Sequence, residues 1–222
     1  NDEIVFLRKT ARRTWAFFET FVGPADHWLP PDNYQENPGP AIAHRTSPTN
    51  IGLSLLSNLA ACDFDYISPE ELLRRTANTF DALGQMERFR GHFYNWYDTQ
   101  TLSKLHPHYI SSVDSGNLCG YLLTLRRGLL DLPGRKIAAD RLMEGIADTL
   151  GVLGDIVEKT KINELAEFRK FLDFSTDERS RSASELWRRL DTLAVKARDL
   201  ALVLEDNPEH PAFAWGRSLA HQ

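Results

Sequence analysis

Cysteine and long hydrophobic runs are scarce in this chain of 222 residues. The two cysteines, Cys62 and Cys119, both lie in apolar helical contexts, which predicts buried free thiols rather than a disulfide. No stretch approaches the roughly 18 unbroken apolar residues of a membrane span, and no basic segment followed by an apolar one opens the chain. We therefore expect a soluble segment with no direct membrane span.

An excess of positive charge is also missing, since 26 Lys and Arg oppose 31 Asp and Glu and leave a net charge of -5. The absence of a basic footprint argues against a nucleic-acid partner. There is no Cys-x-x-Cys, no GxGxxG after a strand, no P-loop and no Gly-x-Ser-x-Gly. His106 and His108 form a local pair that no Cys or second His pair completes, so we expect neither a metal nor a cofactor.

Helical periodicity is the main signal that the sequence does carry. With 42% hydrophobic residues, the chain can form one sizeable domain or two small ones. Apolar spacing and capping signals predict an all-α chain with at most a small β-hairpin. A polar joint at 175–182 separates two of the later helices. We place the helices at about 4–22, 48–62, 69–86, 115–130, 137–157, 165–172, 186–204 and 208–220. Because the chain begins at Asn1 rather than Met, we expect a piece of a longer protein.

The stretch 44–53 changes abruptly from polar residues to a helix start. Ser47 has the side chain of an N-cap, and Pro48 fits the first helical position because its missing N–H is not needed there. Arg45, Thr46 and Asn50 then surround the mouth of the helix, where free backbone N–H groups also point outward. We call these three residues the polar collar and expect them to face a ligand.

A second stretch, residues 91–113, is rich in aromatic and polar residues and also precedes a helix. The predicted N-cap of that helix is Asp114 or Ser115. We call residues 91–113 the excursion. The segments 93–97 and 109–113 have strand propensity. On a strand, the aromatic residues of 93–97 alternate between two faces, so one set can be core and the other can stack on a sugar ring.

Three carboxylates lie in the excursion, at the helix start after it and in the proline-rich loop before the polar collar. Asp98, Asp114 and Glu36 are candidates for the pair of acids that glycosidase chemistry needs. The structural alternatives stay open for each of them, since an Asp at a helix start caps free N–H groups and Asp98 can simply close a turn. Arg45 can also pair with one of these acids in a purely structural role.

Three motifs, at residues 44–53, 91–102 and 112–118, resemble a segment of the bacterial cyclic β-1,2-glucan synthases. The stretch 31–35 fits the same pattern. In that family the segment lies between the glycosyltransferase and the C-terminal phosphorylase-like domain. The resemblance is good over about residues 1–130 and loose in the charged helices after 135.

The resemblance implies a partial (α/α) toroid of glycoamylase-like type, within a retaining transglycosylase that closes linear β-1,2-glucan into a ring. Residues 1–134 would form the first half of this unit, and 135–222 a charged helical extension or insertion. The enzyme would lie at the cytoplasmic face of the bacterial inner membrane, with β-glucan and the remaining domains as partners. Catalytic residues are expected beyond Gln222, so the isolated chain would be inactive. The motifs place these candidates in a substrate wall: Arg45, Thr46, Asn50, Trp96, Tyr97, Asp98, Asp114 and Asn117.

Two other functions remain open from the sequence. The chain could be a small, self-contained glycoside hydrolase that uses Asp98 and Asp114, or a non-catalytic helical scaffold that docks neighbouring domains. The glucan hypothesis requires that the polar collar near residue 45 and the excursion near residue 96 meet in space and line one groove.

Overall fold

The computed structural model describes residues 2–135, 139–157, 163–176, 183–205 and 211–221. Within these residues the chain is all-α, as predicted, with only small antiparallel sheets beside the helices. The helices are α1 (Asp2–Phe21), α2 (Pro48–Asp63), α3 (Pro69–Gln85), α4 (Ser112–Asp131), α5 (Ala139–Val157), α6 (Asn163–Thr176), α7 (Ala183–Glu205) and α8 (Pro211–His221). The predicted helix starts at Ile137 and Pro208 and most of the predicted polar joint, 177–182, lie outside the described residues.

The β structure consists of three antiparallel pairs of two-residue strands within the described part of the chain. They are β1 (Tyr34–Gln35) with β2 (Ala41–Ile42), β3 (Arg45–Thr46) with β6 (Tyr97–Asp98), and β4 (Arg88–Phe89) with β5 (His92–Phe93). The first and third pairs are local hairpins. The β3–β6 pair joins segments far apart in sequence, with Arg45 opposite Asp98 and Thr46 opposite Tyr97.

The chain divides into two compact units, and helix α1 contributes to both. Residues 14–63 and 67–136 form the first, which we call the site unit because it contains every candidate binding residue. Residues 1–13, 64–66 and 137–222 form the second, the C-terminal unit.

Close packing of α2 against α4 organises the core of the site unit. A Cβ on Gly52 would come within 2.3 Å of the Tyr121 ring, and one on Gly128 within 2.4 Å of the Leu59 side chain. Only glycine permits this approach of the two helices. Around the contact lies the buried cluster of Leu29, Ile51, Leu55, Ala82, Leu83, Met86, Tyr97 and Leu125.

Serine side chains cap the N-termini of three helices of the site unit. Ser47 Oγ accepts from the backbone N of Asn50 at 3.2 Å, as predicted, and the Ser68 side chain caps α3. The predicted N-cap of α4, Asp114 or Ser115, is wrong. The cap is Ser111, whose Oγ accepts from the backbone N of Asp114 at 3.1 Å, so α4 begins three residues before the predicted start at 115.

Two further sequence predictions change in the structure. The stretch 109–113 is not a strand, because residues from Ser112 onward already belong to α4. Cys62 is buried as predicted, whereas Cys119 is exposed on α4, and neither forms a disulfide. The apolar context of Cys119 comes from its neighbours Leu118, which is buried, and Leu122, which packs on the core, and Cys119 lines an open cavity beside them.

The C-terminal unit has its own apolar core, formed by α5, α6, α7 and α8. A buried polar network accompanies this core. Asp148 accepts hydrogen bonds from the Tyr66 hydroxyl and from the Arg8 guanidinium, each at 2.9 Å. Burial, followed by the negative charge of Asp148, raises the pKa of the Tyr66 hydroxyl, so this donor stays protonated.

Candidate functional site

The β3–β6 pair brings the polar collar and the excursion together in the site unit. The pairing continues past the strands, since the backbone N of Thr99 donates to the carbonyl of His44 at 3.1 Å. We call the β3–β6 pair the ribbon. Arg45 and Trp96 meet across it, and the Arg45 guanidinium lies 5.1 Å from the centroid of the Trp96 ring.

Asp32 holds the collar in place. Its Oδ2 accepts from Arg45 Nη2 at 2.9 Å and from Arg45 Nε at 3.2 Å, and its Oδ1 accepts from the Asn50 amide at 3.3 Å. The Arg45 side chain is 52% exposed and that of Asp32 is 21% exposed. One carboxylate thus orients two predicted binding residues at the surface, and the cluster of Asp32, Arg45, Asn50 and Trp96 is referred to below as the wall.

The sequence prediction did not include Asp32 among the site residues. Asp32 lies in the segment 31–35, which fits the family pattern, and this is the sequence feature that could have marked it as a site residue. Nothing local indicates that Asp32 faces Arg45, because the two residues are joined by a loop and an intervening hairpin, β1–β2.

Asn95 anchors Trp96 from behind. With its amide oriented to satisfy its partners, Asn95 Oδ1 accepts from Trp96 Nε1 at 2.8 Å and from the Tyr109 hydroxyl at 2.7 Å. Its Nδ2 donates to Asp114 Oδ2 at 2.9 Å. The amide is buried, so these bonds fix the indole, which itself stays partly exposed. Asn95 is the lone polar residue in the aromatic run 93–97, which could have marked it as an anchor.

Tyr97 and Thr46 lie beneath the surface, which corrects their predicted place in the substrate wall. Both residues are fully buried. The Tyr97 hydroxyl donates to the carbonyl of Glu87 at 2.6 Å and accepts from the backbone N of Tyr94 at 2.8 Å, and burial raises its pKa. Alternation across the β3–β6 pair sends these two side chains inward, whereas Arg45 and Asp98 occupy the other face.

Asp98 closes a turn directly after β6. Its Oδ1 accepts from the backbone N of Gln100 at 2.9 Å, from the backbone N of Thr101 at 2.8 Å and from the Thr101 hydroxyl at 3.0 Å. Partial burial pushes the pKa of Asp98 upward, but the hydrogen bonds from Thr101 and Gln100 outweigh it and hold the pKa below its usual value. A carboxylate that keeps its charge so firmly is a poor proton donor.

Asp114 and Asn117 both lie in the first turns of α4. The Asp114 carboxylate accepts from Asn95, so the predicted catalytic candidate supports the excursion. The Asn117 amide donates to the Thr49 hydroxyl at 3.1 Å and ties the start of α4 to the start of α2. The two helix mouths predicted from the sequence are therefore neighbours.

A buried network beneath the collar was also missed by sequence reasoning. Asp26 is 7% exposed and accepts from His44 Nδ1 at 2.7 Å and from the Thr99 hydroxyl. His27 Nδ1 lies 3.0 Å from the Thr99 carbonyl. These contacts fasten the loop after α1 to both strands of the β3–β6 pair. Among the described residues no group of three or more His, Cys, Asp or Glu side chains is arranged to hold a metal ion.

No helix within the described ranges is long and apolar enough to cross a membrane.

No protein-family model matches the chain. Over 172 residues, 76% of its length, the chain is 43% identical to the cyclic beta-(1,2)-glucan synthase NdvB of Rhizobium meliloti (strain 1021). It covers only 6% of the length of that protein. The resemblance predicted from the three motifs is confirmed, and the chain corresponds to a segment of the cyclic β-(1,2)-glucan synthase family.

Proposed function

We propose that this chain contributes a β-glucan-binding surface to a transglycosylase that makes cyclic β-1,2-glucan. The observation that carries the proposal is the wall, in which Arg45 lies over the partly exposed Trp96 ring while Asp32 fixes its orientation. The relationship to a named cyclic β-(1,2)-glucan synthase supports the choice of glucan as the ligand. The helical hairpins of the site unit would belong to a larger (α/α) toroid of the parent protein.

The chemistry of the wall suits a sugar. An aromatic ring offers a flat apolar surface to the C–H groups of a pyranose, and amide and guanidinium donors bind its hydroxyls. Asp32 uses the Nε and one Nη2 proton of Arg45, and the other guanidinium protons of this half-exposed side chain are free to meet hydroxyl oxygens. Because Asp32 neutralises Arg45, the pair favours a neutral ligand over an anion.

We further propose that the isolated chain does not cleave glucan. Asp98 already accepts three hydrogen bonds on one oxygen, and its lowered pKa opposes the role of general acid. Asp114 is engaged by Asn95. Both contacts favour the structural interpretation of these two acids over the self-contained hydrolase.

The test is titration of the chain with linear β-1,2-glucooligosaccharides by calorimetry. Trp96→Ala should weaken binding at least about tenfold, since a stacking platform at the centre of a site carries much of its energy. Trp187→Ala is the matched control, because Trp187 is 72% exposed on α7 in the C-terminal unit.

Circular dichroism should show that both variants remain folded. Prolonged incubation with the oligosaccharides should release no shorter or cyclic products. Glucan affinity that is equal in wild type and Trp96→Ala would contradict the wall, and new products would favour the hydrolase.

A docking scaffold is the second candidate, and the outer face of α4 favours it. Val113, Leu123 and Leu130 are all more than half exposed on this helix. A half toroid also leaves apolar surface uncovered, so self-association cannot separate the two functions. Glucan titration can, because a scaffold has no reason to bind sugar.

A further inference from the structure

A third segment extends the ribbon that carries the wall. After the Asp98 turn, residues 101–105 return along β6 on the side opposite β3. The backbone N of Asp98 donates to the Ser103 carbonyl at 2.9 Å, that of Leu105 donates to the Trp96 carbonyl at 2.8 Å, and Tyr97 pairs with Lys104. Strands lie about 4.8 Å apart, so the return segment runs about 10 Å from β3.

A cavity of about 610 Å³ opens between this return segment and the end of α3. This volume lies in the range of small-molecule sites, about 300–1,000 Å³. Its lining consists almost entirely of polar side chains: Gln85, Glu87, Thr101, Leu102, Ser103, Lys104, His106 and His108. None of these residues belongs to the wall.

The charges in the cavity cancel. Lys104 forms an ion pair with Glu87, which leaves hydroxyl, amide and imidazole groups as the main donors and acceptors. Such a lining suits a neutral ligand with many hydroxyls better than an anion or a cation. A second cavity among the described residues of the site unit, about 350 Å³, is lined mainly by apolar side chains such as Phe93 and Leu122 and lacks this character.

Two stacked imidazoles line the cavity, so only an outer ring face is open to a ligand. The rings of His106 and His108 stack with centroids 3.8 Å apart and planes 19° apart. Tyr94 supports His108 at 5.8 Å, and the Lys104 ammonium lies 4.7 Å from the Tyr94 ring. A planar face beside several hydroxyl-binding groups is the combination that the wall also has.

We propose that this cavity is a second saccharide-binding subsite, in which His106 and His108 receive the part of a glucan chain that extends beyond the wall. The inference rests on the proposed function. The Asp98–Thr101 turn connects the two places, since Asp98 lies opposite Arg45 and Thr101 lines the cavity. Lys104 pairs with Tyr97 and so lies on the face of the ribbon opposite Arg45. A linear oligosaccharide bound at the wall would therefore reach the cavity around the Asp98–Thr101 turn.

The test compares a β-1,2-linked disaccharide with a long linear β-1,2-glucooligosaccharide, each titrated into the full 222-residue chain. Wild type should bind the long ligand more tightly. His108→Ala should weaken the long ligand by about tenfold, because it removes a hydrogen-bonding imidazole and the ring that supports His106, and it should leave the disaccharide unchanged. His92→Ala, an exposed histidine of β5 outside this cavity, is the matched control and should change neither affinity.

A measurement on the wild-type chain makes the test independent of folding in the variants. The imidazole NMR signals of His106 and His108 should shift with the long ligand and stay in place with the disaccharide. Equal long-ligand affinity in wild type and His108→Ala, with binding lost in Trp96→Ala, would overturn the subsite and leave the wall intact. Equal losses for both ligands in His108→Ala would also overturn it. A wild-type chain that binds neither ligand would refute the proposed function itself.

Discussion

Replacing Asp32 by Asn removes the charge that orients Arg45 while keeping the size and one oxygen of the side chain. The substitution breaks the ion pair at 2.9 Å and leaves an amide oxygen to accept from Asn50. Because Arg45 is half exposed, the pair contributes at most about 1 kcal/mol to the free energy of unfolding. The variant should therefore fold normally.

Asp32→Asn should weaken glucan binding, which the loss of a surface ion pair elsewhere on the chain should not do. Without Asp32, the Arg45 side chain leaves its position over Trp96 and must be ordered again when the ligand arrives. Ordering a long side chain costs about 0.5–1.5 kcal/mol, so Kd should rise between about twofold and tenfold. Calorimetric titration with linear β-1,2-glucooligosaccharide measures the change, and urea unfolding measures the stability.

Asp131→Asn supplies the control, because Asp131 pairs with Arg127 on α4 at 2.9 Å with both side chains largely exposed. It should lower stability by a similar small amount and leave Kd unchanged. The reasoning fails if Asp32→Asn binds glucan as tightly as wild type, or if the two variants weaken binding equally.

Three further predictions concern the fold, and each can be measured by denaturant unfolding. Gly52→Ala should destabilise the site unit by about 1–3 kcal/mol, because its Cβ would overlap the Tyr121 ring, whereas Gly116→Ala has open space and should be neutral or stabilising. Ser111→Ala should cost about 1 kcal/mol through loss of the α4 cap. The lowered pKa of Asp98 means that its stabilising contribution is present above about pH 4 and is lost as the pH falls through the folded-state pKa, so Asp98→Asn should flatten that acid limb of the stability curve.

The predicted site residues show how far local reasoning reaches. Arg45 and Asn50 flank a helix start that the sequence marks clearly through Ser47 and Pro48, and they lie in the wall. Tyr97 carries the same aromatic signal as Trp96 yet is buried. Composition could not separate them, because the face that each side chain takes depends on which strand pairs with the excursion.

Asp32 illustrates the opposite failure. An isolated Asp in a proline-rich loop resembles any solvated turn residue, and its role follows from contacts with Arg45 and Asn50 that the chain makes only after folding. The sequence predicts Asp114 as an N-cap or catalytic acid, but the Ser111 hydroxyl takes the capping position and leaves the Asp114 carboxylate for Asn95.

The sequence by itself determined the all-α character and the approximate helix positions, because helix periodicity, caps and proline effects act over only a few neighbouring residues. The motif pattern also determined the relationship to cyclic β-(1,2)-glucan synthases. The tertiary structure alone decided that β3 pairs with β6, that Asp32 reaches Arg45, and which aromatic side chains face outward. The β3–β6 pairing joins residues about fifty positions apart, and the Asp32–Arg45 contact closes a loop of 13 residues. No local preference specifies either contact.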